Sequence, residues 1–153
     1  MAVTQNNPVV LFVAHSWHTD EDYLRVFEYL ESSNNFFYRN VSQPEALPTS
    51  GGMEAQRESL RRQIAPAEVL IATPGIAATN RELLQFQMVF AKASNKPVLL
   101  MRNFGSQAVA PKAIAELADA IIDWDARALV DAIRQQARHE DTARWDVIEF
   151  KLD

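Results

Sequence analysis

The chain has 153 residues, the size of one ordinary domain, and 48% of them are hydrophobic, so it can bury a substantial core. Its 15 basic residues stand against 20 acidic ones, a formal charge of -5, which excludes a sequence-independent grip on nucleic acid phosphate unless a local basic patch supplies it. The absence of cysteine removes disulfides, thiolate catalysis and cysteine-bound zinc, and it fits a cytoplasmic protein.

Residues 1–7 are polar and lack the basic-then-apolar pattern of a signal peptide, and no apolar run approaches the roughly 20 residues that span a bilayer. Val9-Val10-Leu11-Phe12-Val13-Ala14 is a continuous run of β-formers, as in a central strand covered on both faces. His15-Ser16-Trp17-His18 then leaves the sheet. Thr19 or Asp20 can cap a first helix, with Glu21 and Asp22 suited to its positive end and Tyr23, Leu24, Phe27 and Leu30 on one stripe.

A short second strand is expected over 36–41. Residues 42–52, with Pro44, Pro48, Gly51 and Gly52, show no periodicity and form a long loop, a length that suits a functional segment. Good helix formers occupy 53–64, where Leu60 and Ile64 stand one turn apart and Pro66 forbids continuation. Within that helix Arg57, Arg61 and Arg62 are the only tight basic cluster, read as a solvated face.

Residues 69–102 read as strand, loop, helix, strand: Val69 to Thr73, a break at Pro74-Gly75, a helix over about 80–94, then Val98 to Met101. Further on come a loop at 103–106, a helix starting near Pro111, a short strand at 120–122, and a last helix over 126–138 capped by Asp123 or Asp125. The segment 139–153 changes character, with Trp145, Val147 and Phe150 among charges, and fits packing on the body, an added edge strand or a contact with a second subunit.

Strands and helices alternating five times predict an α/β fold: a flavodoxin-like open parallel five-stranded sheet in the order 2-1-3-4-5, with helices on both faces. The division is one domain over 1–138 and a tail over 139–153. Ligands in this layout sit beyond the carboxyl ends of strands one and three. That gathers 15–20, with His15, Ser16, Trp17 and Asp20, the 42–52 loop, and 74–87, with Pro74, Gly75, Leu83 and Gln87, around one crevice, beside Thr73 at the end of its strand.

Neither GxGxxG nor GxxxxGK[ST] occurs, so a dinucleotide fingerprint and a P-loop are unsupported. His15 and His18 lie three apart on a loop with only scattered carboxylates, which favours packing or capping over a metal site. Ser16 lacks a nucleophile-elbow pattern. Trp17 is either a flat wall beside a ligand or a core residue.

Taken together and in order, Leu11 to Trp17 followed by Asp20, then Leu60-Arg61-Arg62-Gln63-Ile64, then Val69-Leu70-Ile71-Ala72, and Gln85-Phe86-Gln87 ahead of Lys96-Pro97-Val98, resemble the TIR-like family with its bacterial Thoeris-type defence members. The likeness covers roughly 9–138. It implies a module that assembles with other TIR-like subunits, as a homo-oligomer, and that takes NAD or an ADP-ribose-type nucleotide as ligand or substrate. No cofactor, metal, nucleic acid or membrane is implied.

In that family the third helix usually carries a tryptophan and, four residues later, a glutamate that serves the sugar of NAD. On this sequence Leu83 stands at the tryptophan position and Gln87 at the glutamate position. Cleavage of the nicotinamide–ribose bond develops positive charge on the sugar, and a carboxylate there supplies electrostatic help that a glutamine cannot. Glu82 is the available substitute, although five helical residues turn it about 140° from Gln87. The bland alternative for Gln87 is a polar residue on a helix surface.

Three functions follow as expectations. The first is NAD glycohydrolase or cyclase activity in a signalling or antiviral defence pathway, resting on Gln87 or Glu82. The second is a catalytically inactive protein–protein interaction module. The third, more distant, is a nucleoside deoxyribosyltransferase-like enzyme, which shares the layout and also relies on a helix-borne carboxylate.

Overall fold

A computed structural model describes residues 2–105 and 110–140. The apolar runs become β1 (Val9–Val13), β3 (Val69–Ala72) and β4 (Val98–Met101), flanked by the shorter β2 (Tyr38–Asn40) and β5 (Ala120–Ile122). All neighbouring pairs are parallel and the order is β2-β1-β3-β4-β5. The fold is therefore an α/β flavodoxin-like one, with β1 and β3 side by side and the crevice between their carboxyl ends.

Side-chain alternation along the central strands splits the core in two. Phe12, Leu70, Ala72 and Leu100 face one layer, with Leu60 and Ile64 of α2 (Gly52–Ile64) and Leu84 and Met88 of α4 (Arg81–Ala93). Leu11, Val13, Ile71 and Leu99 face the other, with Val26 and Leu30 of α1 (Glu21–Glu31) and Leu129 and Ile133 of α6 (Ala126–Arg138). All of these residues are 1% exposed or less, which is why the central strands read as unbroken apolar runs.

Three helix starts carry their own signals. Asp20 Oδ1 accepts from the Tyr23 N–H at 2.8 Å, Asn80 Oδ1 from Leu83 N–H at 3.3 Å, and Asp125 Oδ2 from Ala128 N–H at 2.8 Å. Asp20 and Asp125, not Thr19 and Asp123, are thus the caps.

The break expected at Pro74-Gly75 is instead a helix, α3 (Pro74–Thr79), set directly on the end of β3. Proline is tolerated at a first helical position because the N–H it lacks would have no partner there, so Pro74 starts this helix rather than interrupting the chain. The second strand is also shorter than the expected 36–41: Phe36 is buried against the α1 and α6 layer, but only 38–40 pair with β1. The short α5 (Lys112–Ala115) precedes β5. Of the tail at 139–153, only His139 and Glu140 lie within the described residues. Among the described residues no helix is long and apolar enough to cross a membrane.

Candidate functional site

His15, the second residue beyond the end of β1, is the centre of the crevice. Its side chain is 1% exposed, and every polar atom it presents is engaged. Gln87, on the buried face of α4, grips its backbone from both sides: Oε1 accepts from His15 N–H at 3.1 Å, and Nε2 donates to His15 O at 2.8 Å and to Leu83 O at 3.1 Å. Gln87 is 0% exposed, so the expectation of a polar residue on a helix surface is corrected. The helix turns this position inward, onto the end of β1, where a strand-like pair of backbone groups would otherwise lack partners.

The imidazole continues the network. Its Nε2 lies 2.9 Å from Gln63 Oε1, an oxygen that also accepts from Gln43 N–H at 2.8 Å. Since the Gln63 oxygen is an acceptor, Nε2 carries the proton, and Nδ1 is left to accept from Trp17 N–H at 3.1 Å. Trp17 takes a left-handed backbone (φ 67°), uncommon for a bulky residue, and its indole N–H donates to Gln56 Oε1 at 3.2 Å. His15 is therefore a neutral, fully engaged imidazole that pins α2, α4 and the loop after β1 to one another.

Burial is the largest influence on His15 and pushes its pKa below 6.5, against the Gln63 hydrogen bond and the negative charge of Glu45. A histidine depressed in this way binds its proton more readily when unfolded, so stability is complete above 6.5 and is lost as pH falls from there toward the folded-state value. Urea denaturation midpoints measured down from pH 7.5 should decline through this window, and His15→Gln should flatten that part of the profile. An unchanged slope in the variant would remove His15 as the source.

The other expected residues divide between two places. Asp20 caps α1, and its neighbour Asp22 reaches across the crevice: Asp22 Oδ2 accepts from Gly75 N–H at 3.0 Å, while Oδ1 pairs with Arg25 at 2.7 Å. A side chain at Gly75 would approach these carboxylates, with a Cβ 3.0 Å from Asp22 Oδ2 and 3.4 Å from Asp20 Oδ2. Pro74 is buried, and Thr73 is 0% exposed with its hydroxyl unpartnered among the described residues. Ser16 enters no side-chain hydrogen bond among the described residues. His18 is exposed, and no group of three or more His, Asp or Glu among the described residues is placed to hold a metal.

Glu82 and Leu83 belong to a small cleft between α2 and α4, which they line with Met53, Gln56, Asn80 and Phe86. Its volume is about 40 Å³, room for a few water molecules. Glu82 is exposed on this rim, while Gln87 points into the protein, so the two expected catalytic residues do not converge.

Gln63, Gln43, Gln56 and Asp22 are part of the site although sequence reasoning did not select them. Gln63 carried a usable signal: it lies between Leu60 and Ile64 on the apolar stripe of α2, where a polar residue needs a buried partner. The hub of the site is a neutral imidazole among neutral amides. It offers fixed donors and acceptors to the fold, not an exposed acid or base.

The fold and crevice place the chain in the class of flavodoxin-like α/β proteins. Comparison with known protein families and with curated proteins returns no match. Among solved structures the chain is similar to a 3-dehydroquinate dehydratase-like protein from Bifidobacterium longum, with 11% identity, a TM-score of 0.45, and coverage of 86% of this chain and 96% of that one.

Proposed function

We propose that the chain is a TIR-like, cytoplasmic signalling or defence module that acts by binding other copies of itself and not by cleaving NAD. The observation that carries this reading is the engagement of Gln87. Both ends of its amide are bonded to the His15 backbone, and it is 0% exposed, so no group at the position of the family glutamate is free to meet a ribose. A cleft of about 40 Å³ beside Glu82 and Leu83 adds support, since a nicotinamide nucleotide needs a pocket of several hundred Å³. Leu47 in the loop, Met53 on α2 and Val89 on α4 are each about half exposed, apolar surface that self-association would cover.

The test is incubation of concentrated protein with NAD, read by chromatography, alongside sedimentation over a concentration series. The expected result is intact NAD and concentration-dependent self-association. The enzymatic reading keeps one specific observation, Glu82 on the rim of the cleft. Release of nicotinamide that disappears in Glu82→Gln would replace our proposal with that one, and a monomer at every concentration would also sink it.

A further inference from the structure

The acidic chain hides one local excess of positive charge. Among the described residues, Arg39, Arg62 and Arg81 are the arginines whose side chains make no hydrogen bond, ion pair or ring contact. The remainder of the basic cluster on α2 is accounted for: Arg61 meets Glu54 and Glu58 at 3.3 and 3.1 Å, Arg57 lies 4.0 Å from Glu54, and both stack over Phe86. Arg62 points elsewhere. It shares with Arg39 of the edge strand β2 a single cavity of about 570 Å³, bounded by β2, the loop that follows it and the last turns of α2.

The lining of this cavity contains no aspartate or glutamate, although acids outnumber bases in the chain. A cavity of about 540 Å³ at the start of α6 shows the contrast, because there Asp131 stands 3.6 Å from Arg127. Two guanidiniums without an ion-pair partner, on one concave surface whose lining holds no carboxylate, favour an anion there, and their forked donors suit phosphate. The polar groups around them also retain capacity. Ser59 Oγ accepts from Gln63 Nε2 at 3.3 Å, which leaves its O–H to donate, and the Gln43 side chain has no partner among the described residues.

We propose that this cavity is a binding site for a sugar phosphate, with Arg39 and Arg62 holding the phosphate and Ser59 and Gln43 meeting sugar hydroxyls. No aromatic ring lines the cavity, so there is no platform on which a nucleobase could stack. Its volume exceeds what a bare phosphate fills and falls within the range of small-ligand pockets. Gln63, whose oxygen bonds the His15 ring, forms part of the same wall, so the site adjoins the crevice and shares with it Gln43 and Gln63. The inference goes beyond the assembly role and stands whether or not the chain self-associates.

Calorimetric titration with ribose 5-phosphate, inorganic phosphate and AMP, paired with amide chemical-shift mapping, tests it. Ribose 5-phosphate should bind saturably and shift the amides of Gln43, Ser59 and Gln63. Arg39→Gln and Arg62→Gln should each weaken binding about tenfold, and the double variant should lose it. Both residues are exposed, so the variants should fold normally, and Lys112→Gln on the far side should bind as the parent does. The proposal is overturned by no binding, by binding undiminished in the double variant, or by shifts centred on His15 and Gly75 instead. Inorganic phosphate binding as tightly as ribose 5-phosphate would leave an adventitious ion only, and AMP binding more tightly would overturn the exclusion of a base.

Discussion

Replacing Gln87 with leucine should lower the unfolding free energy by about 3 to 5 kcal/mol. The substitution keeps the volume roughly constant, so the loss is not a cavity effect. It leaves the N–H and C=O of His15 buried without partners, and each such orphan costs about 1 to 3 kcal/mol. Leu83 O remains within the helix ladder and is not orphaned. Denaturation by urea would measure the change; a difference below about 0.5 kcal/mol, typical of surface substitutions, would show that the amide does not hold the loop.

Gln87→Glu sharpens the same point. One carboxylate oxygen could accept from His15 N–H, but the other would face the His15 and Leu83 carbonyls, where Nε2 now donates. Burial and two facing acceptors both favour the protonated acid, so its folded-state pKa rises above the unfolded value of about 4.3. Such a group contributes its stability below the unfolded pKa and loses it as pH rises through the folded one. The variant should therefore be near parental stability in acid and weaken toward neutrality. A glutamate at this position destabilises the loop before it supplies any chemistry.

The second large effect lies at the opposite end of the sheet. Arg138, the last residue of α6, is 8% exposed in its side chain and forms a two-pronged pair with Glu68, through Nε and through Nη2 at 3.0 Å. It also donates to Ala2 O at 3.2 Å and Pro8 O at 3.0 Å, while Glu68 Oε2 accepts from Val10 N–H at 2.9 Å. One guanidinium thus ties the amino-terminal segment, the start of β1 and the end of α6 together. Arg138→Met should cost about 3 to 5 kcal/mol, because it strands a partly buried carboxylate, and adding Glu68→Gln should recover part of that loss.

The pair has a pH signature. Burial is the largest influence on Glu68 and pushes its pKa up, but the hydrogen bonds from Arg138 and Val10 N–H and the charges of Arg138 and Lys96 together hold it below 4.5. A depressed carboxyl contributes stability above its unfolded pKa and loses it as pH falls through the folded value. Denaturation profiles below pH 4.5 should steepen in the parent and flatten in Arg138→Met. Equal acid sensitivity in both would assign the effect to other carboxylates.

Much of the architecture was legible from short-range signals. The unbroken apolar runs at β1, β3 and β4 reflect burial on both faces, and the spacing between them left room for crossover helices, so strand order followed from topology. The misread junction at Pro74 has a local cause: the same dipeptide ends a strand and opens a helix, and which of these dominates depends on α3 packing Ile76 against the core. The site was less legible. Tyr23 and Leu30 announce their burial by periodicity, whereas Gln63 and Gln87 are polar residues whose burial depends on partners that lie 48 and 72 positions away from them in the chain.

Composition and pattern by themselves determined that this chain buries a sheet between two helical layers and places the loops after β1 and β3 at one crevice. They could do so because hydrophobic burial is read residue by residue along each element. Only the tertiary structure decided what Gln87 does, since an amide of that polarity is equally at home in water, on a sugar or against a backbone. Here the end of β1 presents one N–H and one C=O that need partners, and the glutamine on α4 supplies both.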